Sequence, residues 1–463
     1  MECLSKVETP QLQKLHRGKV RDSFRVDGST RLIIVTDRLS AFDRVLDSPI
    51  PRKGEVLNQL SGWWFERTRD LVDNHLIKTI GPSGALVREA SPVKIEMVVR
   101  GFITGSMWRG YAKGERAFSG HTVPDGLTQN QRLERAIVTP TTKEKSDRPI
   151  TPLQIVAEGW TTAERYEQMQ TISLQLFERG RRILAERGLL LVDTKYEFGI
   201  IEDRLCLIDE LHTPDSSRFW DARAHESDPA SVDSLDKEFV RRWLLARPGA
   251  IEAKEVVLPG DVVAETSRRY LELFHRVTER QLPDTDEPVA SRQLRSLVGE
   301  GLVKDAWVAV IMGSPADRSF CESIAEQIRS RGVYCELRVM SAHKNGERIL
   351  EVADEYNHTL EPGVVVAVAG RSNGLGGALA ANLNVLVINA PPFKDQVDIL
   401  TNVGSSLMMP SKTPAVTAIG ADNAARAAVA ALNLSRLRRQ RVEEITQMKA
   451  ELLAADGEAR GRR

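Results

Sequence analysis

Cysteine is scarce: Cys3, Cys206, Cys321 and Cys335 serve a chain of 463 residues, with no Cys-x-x-Cys spacing. That excludes a disulfide framework and leaves no zinc signature. Net charge is missing too, because 64 Lys and Arg balance 64 Asp and Glu. No overall field draws the chain onto nucleic acid or an anionic membrane, so any anion site is local. No apolar run approaches the roughly 18 residues of a spanning helix, and the opening MECLSKVETPQLQK lacks the apolar core of a secretion signal. The expected compartment is the cytosol. The Walker pattern Gly-x-x-x-x-Gly-Lys-Ser/Thr is absent, which leaves a P-loop nucleotidase unsupported. Internal repeats are also lacking, and the basic run Arg436 to Arg441 reads as a solvated helix face.

What is present is globular: 41% apolar and 28% charged residues, enough for two or three domains. From Gly18 to about Ile103, short β-rich runs broken by turns predict antiparallel sheet; one strand is expected to end at Arg100-Gly101. Apolar Tyr166, Met169, Ile172, Leu176, Ile183 and Leu184 recur at helical steps between Thr161 and Arg187, with Gly188 as a stop. Two strands, 189–201 and 205–208, follow as a hairpin. Residues 281–303 mix proline, acids and small residues and read as an interdomain connection. The expected organisation is a first domain over 1–290, a linker over 291–303 and a second domain over 304–463. Beyond residue 300, strand-then-helix alternation predicts a doubly wound parallel α/β sheet, ending in a frayed polar tail, DGEARGRR.

The chemistry starts in the hairpin. Side chains alternate along a strand, so Asp193, Lys195 and Glu197 share one face, while Val192, Thr194, Tyr196 and Phe198 pack on the other. Asp209, at the end of the return strand, reaches the same charged face. Three carboxylates and a lysine suit magnesium on nucleotide phosphates, since hard cations take oxygen ligands and lysine adds a point charge. The same pattern also describes a solvated face closed by a salt bridge, and the segment alone leaves both readings open. The loop after it, Asp209 to Trp220, is dense in hydroxyls, acid and arginine, as anion-recognising loops are. Upstream, Gly18 allows close backbone approach and Lys19 can meet phosphate.

Six ordered segments, GKVRD (18–22), TDRLSAFD (36–43), VVRGFITGSMW (98–108), TPTTK (139–143), DTKYEFG (193–199) and DELHTPDSSRFW (209–220), resemble the SAICAR synthetase family from about residue 10 to 280. The resemblance implies an α+β, ATP-grasp-related fold. It also implies ATP-dependent amide formation, in which ATP phosphorylates a substrate carboxylate and the amine of L-aspartate displaces the phosphate. It makes Gly18, Lys19 and Lys195 nucleotide-phosphate contacts and Lys195 catalytic, with Glu197 and Asp209 as the magnesium pair and Asp193 as a further ligand. Arg100, Ser106, Asp147, Asp215, Ser217 and Arg218 fall on positions that hold the ribonucleotide and aspartate. One departure is visible: Ser146 stands where the family has histidine.

In the second domain, Gly313-Ser314-Pro315-Ala316-Asp317 opens a helix after a strand, Ser341-Ala342-His343-Lys344 follows another, and Gly370 to Gly376 follows a third. Leu379 occupies the third-glycine place of a dinucleotide fingerprint, which rejects that motif. Together the three segments resemble aminoimidazole ribonucleotide carboxylase over about 305–435, in its animal-type, carbon dioxide-using branch. By that resemblance Ser314, Asp317 and Lys344 hold the ribonucleotide and His343 moves the ring-carbon proton, while Arg371, Ser372, Asn373 and Gly374 form the carbon dioxide pocket. A histidine of near-neutral pKa suits such a transfer. The resemblance also implies a homo-octamer built through this domain. The expectation is a bifunctional purine enzyme acting on small molecules, with no nucleic-acid or membrane partner. Its rival is an active ligase on a degenerate scaffold, for which Ala316, in place of a family serine, is the support.

Overall fold

The computed structural model describes residues 3–144, 147–247, 249–370 and 373–461. The chain divides into two compact units, one of Met1–Lys6 with Gln13–Ser296, the other of Val7–Leu12 with Leu297–Arg463.

In the first unit an antiparallel sheet runs in the order Gln13–Arg17, Arg21–Arg25, Thr30–Val35, Gly84–Arg88, Leu76–Ile80. A second sheet is built on two long strands, Ser91–Phe102 and Leu189–Ile201, paired antiparallel with Asp193 opposite Arg100 and Glu197 opposite Glu96. The first of these passes straight through Arg100-Gly101 to Phe102, so the expected strand end is corrected. Arg132–Val138, Thr141–Thr142, Arg204–Ile208 and Ser217–Asp221 complete the sheet. Val192, expected on the packed face, instead joins Phe102 and Trp220 next to a register shift between Leu191 and Asp193. On the packed face Tyr196 and Phe198 are fully buried, each worth about 1.5–3 kcal/mol. They meet the helix Ala163–Ala185, which Thr162 caps by accepting from the Arg165 amide. Its Met169 and Leu176 point into the same core. The other face carries charge and lines the site.

Two helices stand where the sequence predicts sheet or linker. Lys53–Arg67 buries Val56, Leu57, Leu60 and Trp64. Val289–Gly299 lies inside the expected linker, where buried Gln293 accepts from the Ser83 amide and donates to the Ile80 carbonyl. Proline and acids before it had signalled a connection, but the helix is folded.

The second unit holds five parallel strands in the order Tyr334–Val339, Trp307–Met312, Gly363–Val368, Leu386–Asn389, Ala415–Thr417. Alternate residues of Trp307–Met312 feed opposite cores. Val308, Val310 and Met312 pack with Ile324, Ile328 and Ala428, while Ala309 and Ile311 pack with Val352 and Leu379. Helices therefore cover both faces. The strand order reverses between Trp307–Met312 and Gly363–Val368, and in open α/β sheets ligands bind at such a point, beyond the carboxyl ends. The terminal helix runs Ser435–Ala459, so part of the tail expected to fray is helical. Val7–Leu12 also belongs here, although 1–290 was expected as one domain. Thr9 and Gln11 donate to the buried Glu361 carboxylate at 2.6 and 2.9 Å, which ties them to this unit.

Candidate active sites

The charged face of the first unit opens into a cavity of about 880 Å³. Gly18, Lys19, Arg100, Ser106, Asp147, Asp193, Lys195, Glu197, Asp209, Asp215, Ser217 and Arg218 all line it, so residues from five separate stretches of the chain converge. Register explains the central group: Glu96 and Arg100 on one strand face Glu197 and Asp193 on the next. Lys195 sits 2.9 Å from Glu96 and 3.4 Å from Glu197. Burial alone lowers its ammonium, and Glu197 with Glu96 more than reverses that, leaving it above the ordinary lysine value.

Glu197 and Asp209 form a coupled pair. Burial first, then the Asp209 charge, pushes Glu197 up to about 7 against Lys195 and Lys143. Burial works the same way on Asp209, but Arg21, 2.6 Å away, with Lys195 and Lys143, holds it below the ordinary carboxylate range. Glu197 is buried and Asp209 partly so, and both are oxygen donors facing one cavity. This donor set fits a hard divalent cation. Asp193, expected as a further ligand, stands here beside two arginines: Arg218 pairs with it and Arg100 lies 3.7 Å away.

Elsewhere on the cavity wall two arginines and a serine come together. Arg100 Nε donates to Thr139 at 2.8 Å, its Nη2 reaches Ser106 at 3.4 Å, and Arg218 lies against the backbone of Gly105. Gly105 has φ +57°, and a Cβ there would sit 2.6 Å from the Arg218 guanidinium. Only glycine lets the two arginines and the serine converge. Ser217 donates to Thr194 at 2.7 Å. Asp215 is committed inward, with Lys53 Nζ at 2.7 Å from one oxygen and the Tyr270 hydroxyl donating at 2.9 Å to the other. Those bonds anchor the loop that carries it.

The loop of Gly18 and Lys19 is held from beneath. Arg38 donates to the carbonyls of Gly18 and Lys19, both at 3.0 Å, while pairing with buried Asp22. Lys19 projects outward to Asp43 at 2.7 Å. Asp147, on the facing wall, is raised by burial and by Glu96 and Asp43. Sequence reasoning missed Arg21, Lys143, Lys237 and Arg241, which also line the cavity. Arg21 and Lys143 stood inside quoted motifs; burial pushes Lys237 down to about 8.

In the second unit, the expected residues gather at strand ends. Ser314 accepts from the Ala316 amide and starts the turn that carries Asp317, whose carboxyl burial raises. His343 lies over the start of the helix Gly374–Ala380, where a Cβ on Gly374 would come within 3.0 Å of its ring. Lys344 follows it in the same exposed turn. Asn373 accepts from the Gly376 amide at 3.0 Å and donates to Ser406 at 3.0 Å, and its own backbone amide donates to Ser405 at 2.7 Å, so side chain and backbone both hold the loop. Arg371, Ser372 and Ser146 lie outside the described residues.

An α+β domain with a multi-anion cavity, followed by a doubly wound domain with a strand-end site, defines a fused synthetase and sheet-end enzyme. Comparison with known proteins gives the particulars. The SAICAR synthetase family model matches residues 14–256, and the chain belongs to that family; the AIR carboxylase model matches 307–452. A phosphoribosylaminoimidazole-succinocarboxamide synthase from Legionella pneumophila (strain Paris) is 42% identical over 288 residues, 60% of this chain and 91% of its own. The chloroplastic enzyme of Vigna aconitifolia is 43% identical over 270 residues, 56% of this chain and 78% of its own. SAICAR synthase from Saccharomyces cerevisiae, solved in complex with SAICAR, aligns at TM-score 0.55 and 32% identity over 61% of this chain and all of that one. The chain is a bifunctional purine-biosynthesis enzyme, with ligase and carboxylase domains fused in that order. No helix among the described residues is long and apolar enough to cross a membrane.

Proposed function

We propose that the first-unit cavity joins a carboxylated aminoimidazole ribonucleotide to L-aspartate at the expense of ATP, and that the strand-end site makes that ribonucleotide by adding carbon dioxide. The observation that carries the ligase reading is the convergence of Glu197, Asp209 and Lys195 with the Arg100, Ser106 and Arg218 subsite in one cavity. Phosphorylating a carboxylate brings anions together, so cations must offset their repulsion while the reacting groups are held in place. Lys19 and Lys195 face the nucleotide phosphates over the Gly18 loop. Arg100, Ser106 and Arg218 take the anionic groups of the ribonucleotide, with Asp147, Asp215 and Ser217 shaping its surroundings. Glu197 and Asp209 would hold magnesium, which supplies charge neutralisation between the phosphates and the acceptor carboxylate.

In the second site, Ser314, Asp317 and Lys344 hold the ribonucleotide. His343 removes the hydrogen left on the ring carbon once carbon dioxide has added, and Arg371, Ser372, Asn373 and Gly374 hold the carbon dioxide. Domain limits of 1–290 and 304–463, apart from the Val7–Leu12 segment, frame the two activities in the cytosol. Assembly into a homo-octamer covers apolar surface that a single chain leaves open: Val397, Leu400, Leu407 and Met408 are 74%, 79%, 65% and 83% exposed.

The test assays both half-reactions on the purified full chain. Glu197→Gln should abolish ligation from supplied carboxylated ribonucleotide and keep carboxylation, and His343→Asn should do the reverse. Ligation surviving in Glu197→Gln sinks the ligase-site reading, and carboxylation surviving in His343→Asn sinks the other.

A further inference from the structure

Glu197 meets two lysines, and they are not equivalent. Lys195 is two residues along the same strand and is shared with Glu96 at 2.9 Å, so two carboxylates fix it. Lys143 pairs with the second Glu197 oxygen and has no other ion-pair or side-chain hydrogen-bond partner among the described residues. Its backbone is tied down, the Lys143 amide donating to the Lys94 carbonyl at 3.1 Å, while its side chain is 44% exposed on the cavity wall. The anchor point is fixed and the ammonium is free to swing on a four-carbon stem.

We propose that Lys143 is a resident counter-ion of the Glu197 and Asp209 pair, which yields its place to a divalent cation and turns to the phosphate chain of the nucleotide. The inference rests on reading that pair as the metal ligands. An ammonium and a dication cannot share one carboxylate oxygen without strong repulsion, and of the two lysines only Lys143 has a single bond to give up. Once released, it stands on the wall of a cavity that also holds Lys19 and Lys195, the groups facing the phosphates. A lysine is suited to this because it recognises phosphate as a point charge and needs no fixed fork geometry.

The proposal carries opposite signs for two measurements. Removing the ammonium removes the competitor for the carboxylates, so the empty site should bind a dication more tightly. It also removes a phosphate contact, so turnover should fall. A lysine that merely braced the site would make both worse. Manganese(II) is titrated into the nucleotide-free full chain and free ion is followed by its paramagnetic resonance. Lys143→Met should bind manganese at least fivefold more tightly than wild type, and Lys143→Arg should stay within twofold. In ligation, Lys143→Met should raise the KM for ATP and lower kcat at least tenfold, with carboxylation unchanged. Manganese binding unchanged or weakened in Lys143→Met overturns the counter-ion role. Glu197→Gln separates the two layers. If it abolishes manganese uptake while Lys143→Met leaves affinity unchanged, the metal pair stands and the swap falls; if uptake survives, the metal reading falls and takes the swap with it.

Discussion

Lys53→Met is the most informative single perturbation of the ligase unit, because Lys53 and Asp215 are both shut off from solvent. Their side chains are 0% and 5% exposed and 2.7 Å apart. At that distance, with an effective dielectric near 20, the Coulomb attraction is about 6 kcal/mol, part of which offsets desolvation. Breaking a buried pair from one side costs about 3–5 kcal/mol, since the remaining charge is stranded. For a unit of this size that lowers the melting temperature by roughly 6–10 °C, at about 2 °C per kcal/mol. The pH dependence gives the signature. Burial alone raises the Asp215 carboxyl, but Lys53 first, then Lys237 and the Tyr270 hydroxyl, hold it below the ordinary range. In the wild type, then, its contribution is present above the unfolded value near 4 and is lost as pH falls through the folded one. Without Lys53, burial wins and the sign reverses, so the deficit of Lys53→Met should shrink on going from pH 7.5 to 5.5. Lys53→Met/Asp215→Asn should recover most of the loss, because no charge remains to be stranded. Denaturant titration at the two pH values, followed by tryptophan fluorescence, reads all three variants. A deficit under about 1 kcal/mol, or one that grows at pH 5.5, refutes the reasoning.

Gly105→Ala should leave the fold standing at a cost of about 1–2 kcal/mol for the left-handed backbone, while raising the KM for ribonucleotide, because its Cβ displaces the Arg218 guanidinium. An unchanged KM counts against the anion subsite. His212 is fully buried, with Nε2 2.7 Å from the Tyr196 hydroxyl, and burial pushes it down to about 3. It is neutral in the folded protein while the unfolded chain takes a proton below about 6.5, so stability is present above that value and falls as pH drops. Between pH 6.5 and 5.5 the loss approaches about 1 kcal/mol; His212→Gln should flatten that slope, and an identical slope in the variant removes the assignment. Mass measurement of the intact chain in solution should show a large homo-oligomer, and a monomer would leave the exposed apolar face of Gln396–Leu407 unexplained.

What could be read from the residue order alone depended on where polar groups find their partners. The strand Leu189–Ile201 was legible because its two faces differ, apolar against the long helix and charged toward the cavity, so the period of two is written in the residues. The helix Lys53–Arg67 was not, because its buried face carries Lys53, Glu55, Asn58 and Ser61 among the apolar side chains. Each is satisfied far away: Lys53 by Asp215, Glu55 by Arg292 at 2.8 Å, Asn58 by the carbonyls of Pro82 and Gly84, and Ser61 by the Leu211 amide. A polar group paired across more than twenty residues looks in sequence like a solvated one. The same holds for Gln293 within the expected linker and for Lys143, whose pairing with Glu197 depends on loop placement beside the sheet. The second site was legible for the opposite reason: strand-helix alternation fixes which turns lie at the carboxyl ends, and the order reversal brings the turns after Met312 and Val368 side by side. Yet position did not reveal employment there. Asn373 stands where a ligand contact was expected, and its amide is taken by Gly376 and Ser406. Turns at the switch point must be held open before they can bind anything, and the residue that holds one need not be the residue that touches the ligand.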